Sequence, residues 1–286
     1  MRISGMAKVF GVIGHPVGHS LSPVMHNAAI ESLDLDYVYV PFDVPPEKLE
    51  AAIEGIRALG IAGVNITVPH KEAVIPFLDE LEQEASEIGS VNTVTNLNGK
   101  LIGQSTDGPG FIRSLAESGC YPRGRNAVVL GAGGAGRAIT FSLVRNGAKV
   151  ALFDMDVKRA MQLVDDINVK CTECEVGSVH LVHSQESELE AAVASADILV
   201  NCTPVGMHPN VDKIPIPPEW LRRDHIVFDL VYNPIRTKLL KAAESAGALA
   251  ISGVKMLVYQ GALSFRTWTG IDPPVDIMED AVIAYL

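Results

Sequence analysis

Two groups of residues in this 286-residue chain have the types and spacing to do chemistry. The first is the run Gly131-Ala132-Gly133-Gly134-Ala135-Gly136, which follows the apolar stretch Val128-Val129-Leu130 and has the G-x-G-x-x-G spacing. In such a turn the first glycine makes the bend, the second lets backbone approach a pyrophosphate, and the third lets the next helix pack closely on its strand. Eighteen residues after Gly136 comes Asp154, and Asp154-Met155-Asp156 closes the next apolar run, Lys149 to Phe153. An acid at that distance stands where a ribose 2′-hydroxyl needs an acceptor. Strand, glycine turn, helix and acid-closed strand together predict a dinucleotide site and therefore hydride transfer. Hydride transfer to a carbonyl leaves an alkoxide, so an acid/base group is also required.

The second group supplies candidates for that role. Asn65-Ile66-Thr67-Val68-Pro69-His70-Lys71 leaves an apolar run and enters a Pro-interrupted turn, which places Asn65, Thr67 and Lys71 at one strand end. Ser20-Leu21-Ser22-Pro23 opens a helical pattern, and Thr106-Asp107 stands where another begins. Each has a plain structural reading. Ser22 followed by Pro23 is good grammar for an N-cap with proline at the first helical position, Asp107 suits a cap equally, and Lys71 suits a solvated surface. Taken together they make a polar set suited to a small polyol that carries a carboxylate.

The elements that must position these residues alternate between strand and helix. Strands are expected at Lys8 to Ile13, Tyr37 to Phe42 and Gly63 to Ile66, with helices at Ser22 to Ser32 and Pro46 to Leu59 between them, a βαβ grammar. Asn92 to Thr95 and Lys100 to Gln104 flank Asn98-Gly99, a type I′ hairpin signal. A helix at about 108–118 leads into a second alternation: strands at Ala127 to Leu130, Lys149 to Phe153, Val179 to Val182, Asp197 to Asn201, His225 to Leu230 and Ala248 to Ile251, with helices through Asn146 and from Val157 to about Ile167. Pro209 to Pro218 reads as a loop. Helical patterns at Met256 to Thr267 and Val275 to Leu286 are too few to form a core alone. The expected architecture is α/β in two domains with a cleft between them. Residues 1–107 plus 253–286 form a mixed, mainly parallel α/β substrate domain, and residues 108–252 a Rossmann-type doubly wound nucleotide domain.

Composition narrows the partners. The chain is 48% hydrophobic and 20% charged, and its 34 acids against 23 bases give a net charge of −11. Without a basic block it is unsuited to neutralising nucleic-acid phosphates, so a small molecule is the expected partner. No stretch approaches the roughly 18 apolar residues of a membrane span. The segment Met1 to Lys8 lacks the apolar core of a secretory signal, so a cytoplasmic location is expected, with monomer and homodimer both left open. Cys120, Cys171, Cys174 and Cys202 are too few for a disulfide framework, and Cys171-Thr-Glu-Cys174 has no second ligand pair, so no metal site is expected.

The motifs resemble, in order, those of the shikimate dehydrogenase family: His15-Pro16, Ser20-Leu-Ser-Pro23, Asn65 to Lys71, Ser90-Val-Asn-Thr93, Thr106-Asp107-Gly108, Gly131 to Gly136, Asn201-Cys-Thr-Pro-Val-Gly-Met207, Tyr232-Asn-Pro234, Gly253-Val-Lys-Met256 and Gln260. The resemblance covers nearly the whole chain. It implies reversible oxidation of shikimate to 3-dehydroshikimate, with Lys71 and Asp107 as catalytic pair and Lys71 as the proton-transfer group. It further implies that Ser20 and Ser22, helped by Tyr232, bind the substrate carboxylate, and that Asn65, Thr67, Asn92, Asp107 and Gln260 read the ring hydroxyls. Gly131, Ala132, Gly133, Gly134, Ala135 and Gly136 would then hold the pyrophosphate. Thr203, Val205, Met207, Val231, Gly253 and Met256 would line the nicotinamide.

One motif departs from the family. Many members carry Asn-Arg-Thr after the second nucleotide strand and prefer NADP, whereas this chain has Asp154-Met155-Asp156. A carboxylate repels a 2′-phosphate and accepts a hydrogen bond from a free 2′-hydroxyl, so NAD is the favoured cofactor, with NADP possible through Arg159 one turn later. The same departure is similar to the quinate/shikimate dehydrogenase branch, which leaves quinate as an alternative main substrate. A non-catalytic regulator of the same fold is the other alternative, and it would have no need of Lys71 and Asp107 together.

Overall fold

The computed structural model describes residues 3–171, 177–183 and 186–286, so Cys174 and its C-x-x-C spacing lie outside the described residues. The chain divides into two compact units, one of residues up to Gly110 with Leu257–Tyr285, the other of Phe111–Met256. Both divisions fall inside helices, a few residues beyond the expected positions 107 and 253.

In the first unit the chain forms β1 (Lys8–Gly14), α1 (Ser22–Ser32), β2 (Tyr37–Asp43), α2 (Leu49–Leu59) and β3 (Gly63–Ile66). A two-residue β4 (Glu80–Leu81) and α3 (Gln83–Ile88) follow, then β5 (Thr93–Leu97) and β6 (Lys100–Gln104). The sheet order is β2-β1-β3-β5-β6-β4. β1 runs parallel to β2 and β3, while β5 is antiparallel to both β3 and β6. Asn98 and Gly99 take φ of 55° and 94°, the two left-handed positions that a type I′ turn needs. Leu49, Ile53 and Ile56 of α2 lie one turn apart and bury one helix face against Ile13, Val64, Ile66 and Val94. That packing fixes the strand ends from which Asn65 and Asn92 project.

α4 (Asp107–Glu117) leads into the second unit, followed by β7 (Asn126–Leu130), α5 (Gly134–Arg145), β8 (Lys149–Phe153), α6 (Val157–Lys170) and β9 (Ser178–Leu181). Next come α7 (Glu186–Ser195), β10 (Ile198–Asn201), β11 (Ile226–Asp229), α8 (Lys238–Ser245) and β12 (Leu249–Ser252). The strand order β12-β11-β10-β7-β8-β9 is parallel throughout, the doubly wound order with its switch point between β7 and β10. β10 and β11 are buried at every residue, which explains their unbroken apolar runs. α9 (Val254–Thr269) crosses out of this unit, and α10 (Val275–Tyr285) packs along α1 in the first. Among the described residues no helix is long and apolar enough to cross a membrane.

Candidate active site

In the first unit one hydrogen-bonded network joins most of the candidate polar residues. Asn65, at the penultimate position of β3, donates from Nδ2 to the Asn92 carbonyl (3.0 Å), Ser264 Oγ (2.9 Å) and Thr93 Oγ1 (3.3 Å), and its Oδ1 accepts from the Tyr39 hydroxyl at 2.8 Å. The Asn92 carbonyl can only accept, so the Asn65 amide nitrogen must face it. Asn65 has therefore used both N–H groups internally and keeps lone pairs on its oxygen. Beyond Tyr39 stands buried Ser22; burial pushes the Tyr39 pKa well above its usual value, against the opposing effect of the nearby Ser22 hydroxyl.

Asn92 sits just ahead of β5 and connects the other half. Its Oδ1 accepts from the Thr106 N–H (2.8 Å), and its Nδ2 lies 2.8 Å from Thr106 Oγ1, 3.0 Å from Asp107 Oδ1 and 3.1 Å from Gln260 Oε1. Asp107 opens α4 and receives Lys71 Nζ on its other oxygen at 2.5 Å. The two side chains are 13% and 5% exposed, so this is a largely buried ion pair held by a third donor. Lys71 lies in the turn after β3, tied to the sheet by the Val91 N–H on its carbonyl (2.8 Å). His70 anchors the same turn, its Nε2 2.6 Å from the Val44 carbonyl.

Two plain structural readings of these residues fail. Leu21, not Ser22, occupies the N-cap of α1 and makes no side-chain cap; Ser22 is the first helical residue and Pro23 the second. Ser20 Oγ instead accepts from the Ser22 N–H at 3.3 Å, and Ser22 itself is buried. Asp107 is likewise occupied by Lys71 and Asn92. Thr67 is half-buried beyond β3, where its methyl fills the space a Cβ on Gly14 would need. Tyr232 follows β11 in the second unit and is part-buried.

Sequence reasoning missed Tyr39 and Ser264, both nearly or fully buried. The one available signal was a pair of tyrosines, Tyr37 and Tyr39, on one face of an otherwise apolar strand.

In the second unit Gly131 has φ +105°, a conformation suited to glycine, and a Cβ there would sit 3.0 Å from Thr203 Cγ2. A Cβ on Gly136 would overlap the Gly131 carbonyl, which is the close helix–strand contact expected of the third glycine. Gly133 is the N-cap of α5 and makes no side-chain cap. These features fit a pyrophosphate. Asp154 accepts from the Ala132 N–H at 2.6 Å and from the Asp156 N–H at 2.8 Å, tying the strand end to the glycine turn. Asp156 caps α6, accepting from the Arg159 N–H at 3.2 Å, so its capping role is real. The Arg159 guanidinium lies 3.8 Å from where a Gly133 Cβ would stand.

Across the switch point, Asn201 at the end of β10 accepts from the Thr203 hydroxyl (2.6 Å) and N–H (3.1 Å), and its Nδ2 reaches the Val205 carbonyl (3.3 Å). Gly206 turns the chain at φ +92° into part-buried Met207. Val231 and Met256 are buried, and a Cβ on Gly253 would strike the Leu230 carbonyl. Six parallel strands in doubly wound order, with a glycine turn at the switch point, define a Rossmann-type dinucleotide-binding unit, joined here to an α/β unit that carries a buried Lys–Asp pair.

Comparison with known proteins gives the family. The model of the shikimate dehydrogenase substrate binding domain matches residues 12–94 and that of the shikimate 5′-dehydrogenase C-terminal domain residues 253–283. The saccharopine dehydrogenase NADP binding domain matches residues 127–214. A relative from Methanopyrus kandleri, named shikimate dehydrogenase (NADP(+)), is 49% identical over 100% of this chain and 98% of its own. The Thermus thermophilus shikimate 5-dehydrogenase with NADP(H) and shikimate has a TM-score of 0.87 at 39% identity, covering 98% of this chain and all of that one. The Listeria monocytogenes shikimate 5-dehydrogenase with shikimate and NAD has a TM-score of 0.87 at 35% identity, covering 98% of each chain. The chain belongs to the shikimate dehydrogenase family.

Proposed function

We propose that this protein catalyses the reversible oxidation of shikimate to 3-dehydroshikimate with a nicotinamide dinucleotide. The observation that carries the reading is the Lys71–Asp107 pair, 2.5 Å apart and largely buried, at one end of a network that runs back through Asn92 and Asn65 to Tyr39. Lys71 in its neutral form takes the proton from the substrate hydroxyl during oxidation, becoming the ammonium that Asp107 pairs, and returns that proton to the carbonyl oxygen during reduction. Asp107, held on its second oxygen by Asn92, keeps the lysine nitrogen directed and offsets its charge. Asn65, with only acceptor capacity left, receives a ring O–H. Ser22 and Ser20 donate charge-assisted hydrogen bonds to the substrate carboxylate, with Tyr232 assisting. Thr67 and Gln260 complete the set of hydroxyl readers.

The dinucleotide, when bound, supplies the hydride acceptor and donor. Gly131 to Gly136 hold its pyrophosphate on the N-terminus of α5, and Thr203, Val205, Met207, Val231, Gly253 and Met256 line its nicotinamide end. We infer that NAD is preferred to NADP. Asp154 and Asp156 would bring two carboxylates to the ribose corner, where a 2′-phosphate adds like charge, while Arg159 keeps NADP usable at lower efficiency. This differs from the Methanopyrus relative, named for NADP(+), and agrees with the NAD in the Listeria complex. Quinate is the second reading, supported by the same two aspartates.

Lys71→Ala and Asp107→Asn test the catalytic pair. Each is expected to reduce kcat by a factor on the order of 10² to 10⁴ while the dinucleotide Kd stays within about twofold. Near-normal kcat in both variants would remove the assignment.

A further inference from the structure

Asp229 is the last residue of β11 and is fully buried in the nucleotide-binding unit, yet no part of the reaction calls on it. Its Oδ1 accepts from Asn201 Nδ2 (2.9 Å) and the Val231 N–H (3.1 Å), and its Oδ2 accepts from the Thr237 hydroxyl at 2.6 Å. Each partner belongs to a different piece of chain at the C-terminal edge of the sheet. Asn201 shapes the turn through Thr203 and Val205, Val231 begins the segment after β11, and Thr237 caps α8 by accepting from the Leu240 N–H at 3.2 Å. A single carboxylate thus clamps the two segments proposed to line the nicotinamide. Burial pushes its pKa up to about 6 against these three hydrogen bonds, and an apolar side chain there would leave all three donors without an acceptor.

We propose that Asp229 is a positioning residue for the nicotinamide end of the cofactor, fixing Thr203 and Val205 against Val231 through Asn201. The inference rests on the proposed dehydrogenase reading. An amide at this position keeps an oxygen for Asn201 and Val231 but turns an N–H toward Thr237, whose hydroxyl loses its acceptor, so the charged clamp becomes a weaker neutral one. The loosened segments weaken contacts to the nicotinamide and leave the glycine turn untouched, because Asp154 and Gly131 make none of these bonds.

The test is Asp229→Asn, compared with Thr237→Val and its conservative partner Thr237→Ser, in the full chain. Measured are the steady-state constants for shikimate oxidation and the inhibition constant of ADP-ribose, which lacks the nicotinamide. Asp229→Asn and Thr237→Val are expected to lower kcat/KM for the dinucleotide about tenfold or more, with the ADP-ribose constant changed less than about twofold and Thr237→Ser close to the parent. Equal weakening of dinucleotide and ADP-ribose, or unchanged kcat/KM in folded variants, would overturn the proposal. If Asp229→Asn fails to fold, the Thr237 pair decides alone by the same criteria. A parent protein that binds ADP-ribose but does not oxidise shikimate would overturn the dehydrogenase reading, and this inference with it.

Discussion

At the scale of single residues, polar groups in the first unit are arranged so that few choices of hydrogen-bond direction remain. The Asn92 carbonyl forces the Asn65 amide to face one way, and Asn92 itself holds Asp107 from the side opposite Lys71. His26 is one exception, with the Thr95 and Ser105 hydroxyls. It is completely buried, its ring stacks on Tyr39 at 4.3 Å and 6°, and neither nitrogen has a protein partner among the described residues. Burial lowers its pKa from 6.5 to about 3, so the folded protein favours the neutral ring. The stability this contributes is present above pH 6.5 and is lost as pH falls from there toward 3. At pH 4.5 the loss is about 3 kcal/mol, at roughly 1.4 kcal/mol per pH unit. His26→Phe keeps the stack and removes the titration, so denaturant unfolding should show a shallower fall between pH 6.5 and 4.5 than in the parent; parallel curves would contradict it. The cofactor preference also belongs to this scale. If Asp154 and Asp156 face the ribose as proposed, kcat/KM for NAD should exceed that for NADP by about tenfold, a difference of about 1.4 kcal/mol. A clear NADP preference would show that Arg159 dominates instead.

At the scale of elements, the strands and helices that carry the site were legible because their signals are local. The strand Gly63–Ile66 and the helix Ser22–Ser32 agree with the sequence reading to the residue, and Asn98-Gly99 formed its hairpin. The missed elements had weak local signals. β4 is two residues long, α3 is a short run of six, and α7 begins with the polar run Glu186-Ser187-Glu188. α8, eight residues long, starts only a few residues after Pro234 and is announced by the Thr237 cap alone. The caps themselves were the least legible detail. Ser22 had better N-cap chemistry than Leu21 in isolation, yet it stands buried inside the first turn of α1. Asp156 did become a cap, and its side chain holds the first turn of α6. Asp156→Ala is expected to lower unfolding free energy by about 1 kcal/mol, read by urea titration, while leaving dinucleotide binding within a few-fold. A stability change near zero would mean that this cap is inactive in solution.

At the scale of the whole molecule, the mid-chain glycine turn signalled a nucleotide unit bracketed by a second unit, and the parallel order β12-β11-β10-β7-β8-β9 supplies the switch point that such a turn requires. The sequence could not reveal the partners that complete the site. Tyr39 lies 26 residues from Asn65 and Ser264 lies 199 residues from it, and nothing in the local pattern of either marks it as a hydrogen-bonding partner. Family motifs recovered the residues expected to touch ligands, and the fold recovered those that orient them. The central claim is that this chain oxidises shikimate using Lys71. Its most direct test is steady-state turnover of the purified protein with shikimate and with quinate, each with NAD and with NADP, beside the Lys71→Ala variant. Turnover of shikimate that is fastest with NAD and falls by about 10² or more in the variant is the expected result. A folded protein that binds dinucleotide and turns over shikimate with neither cofactor would contradict the account.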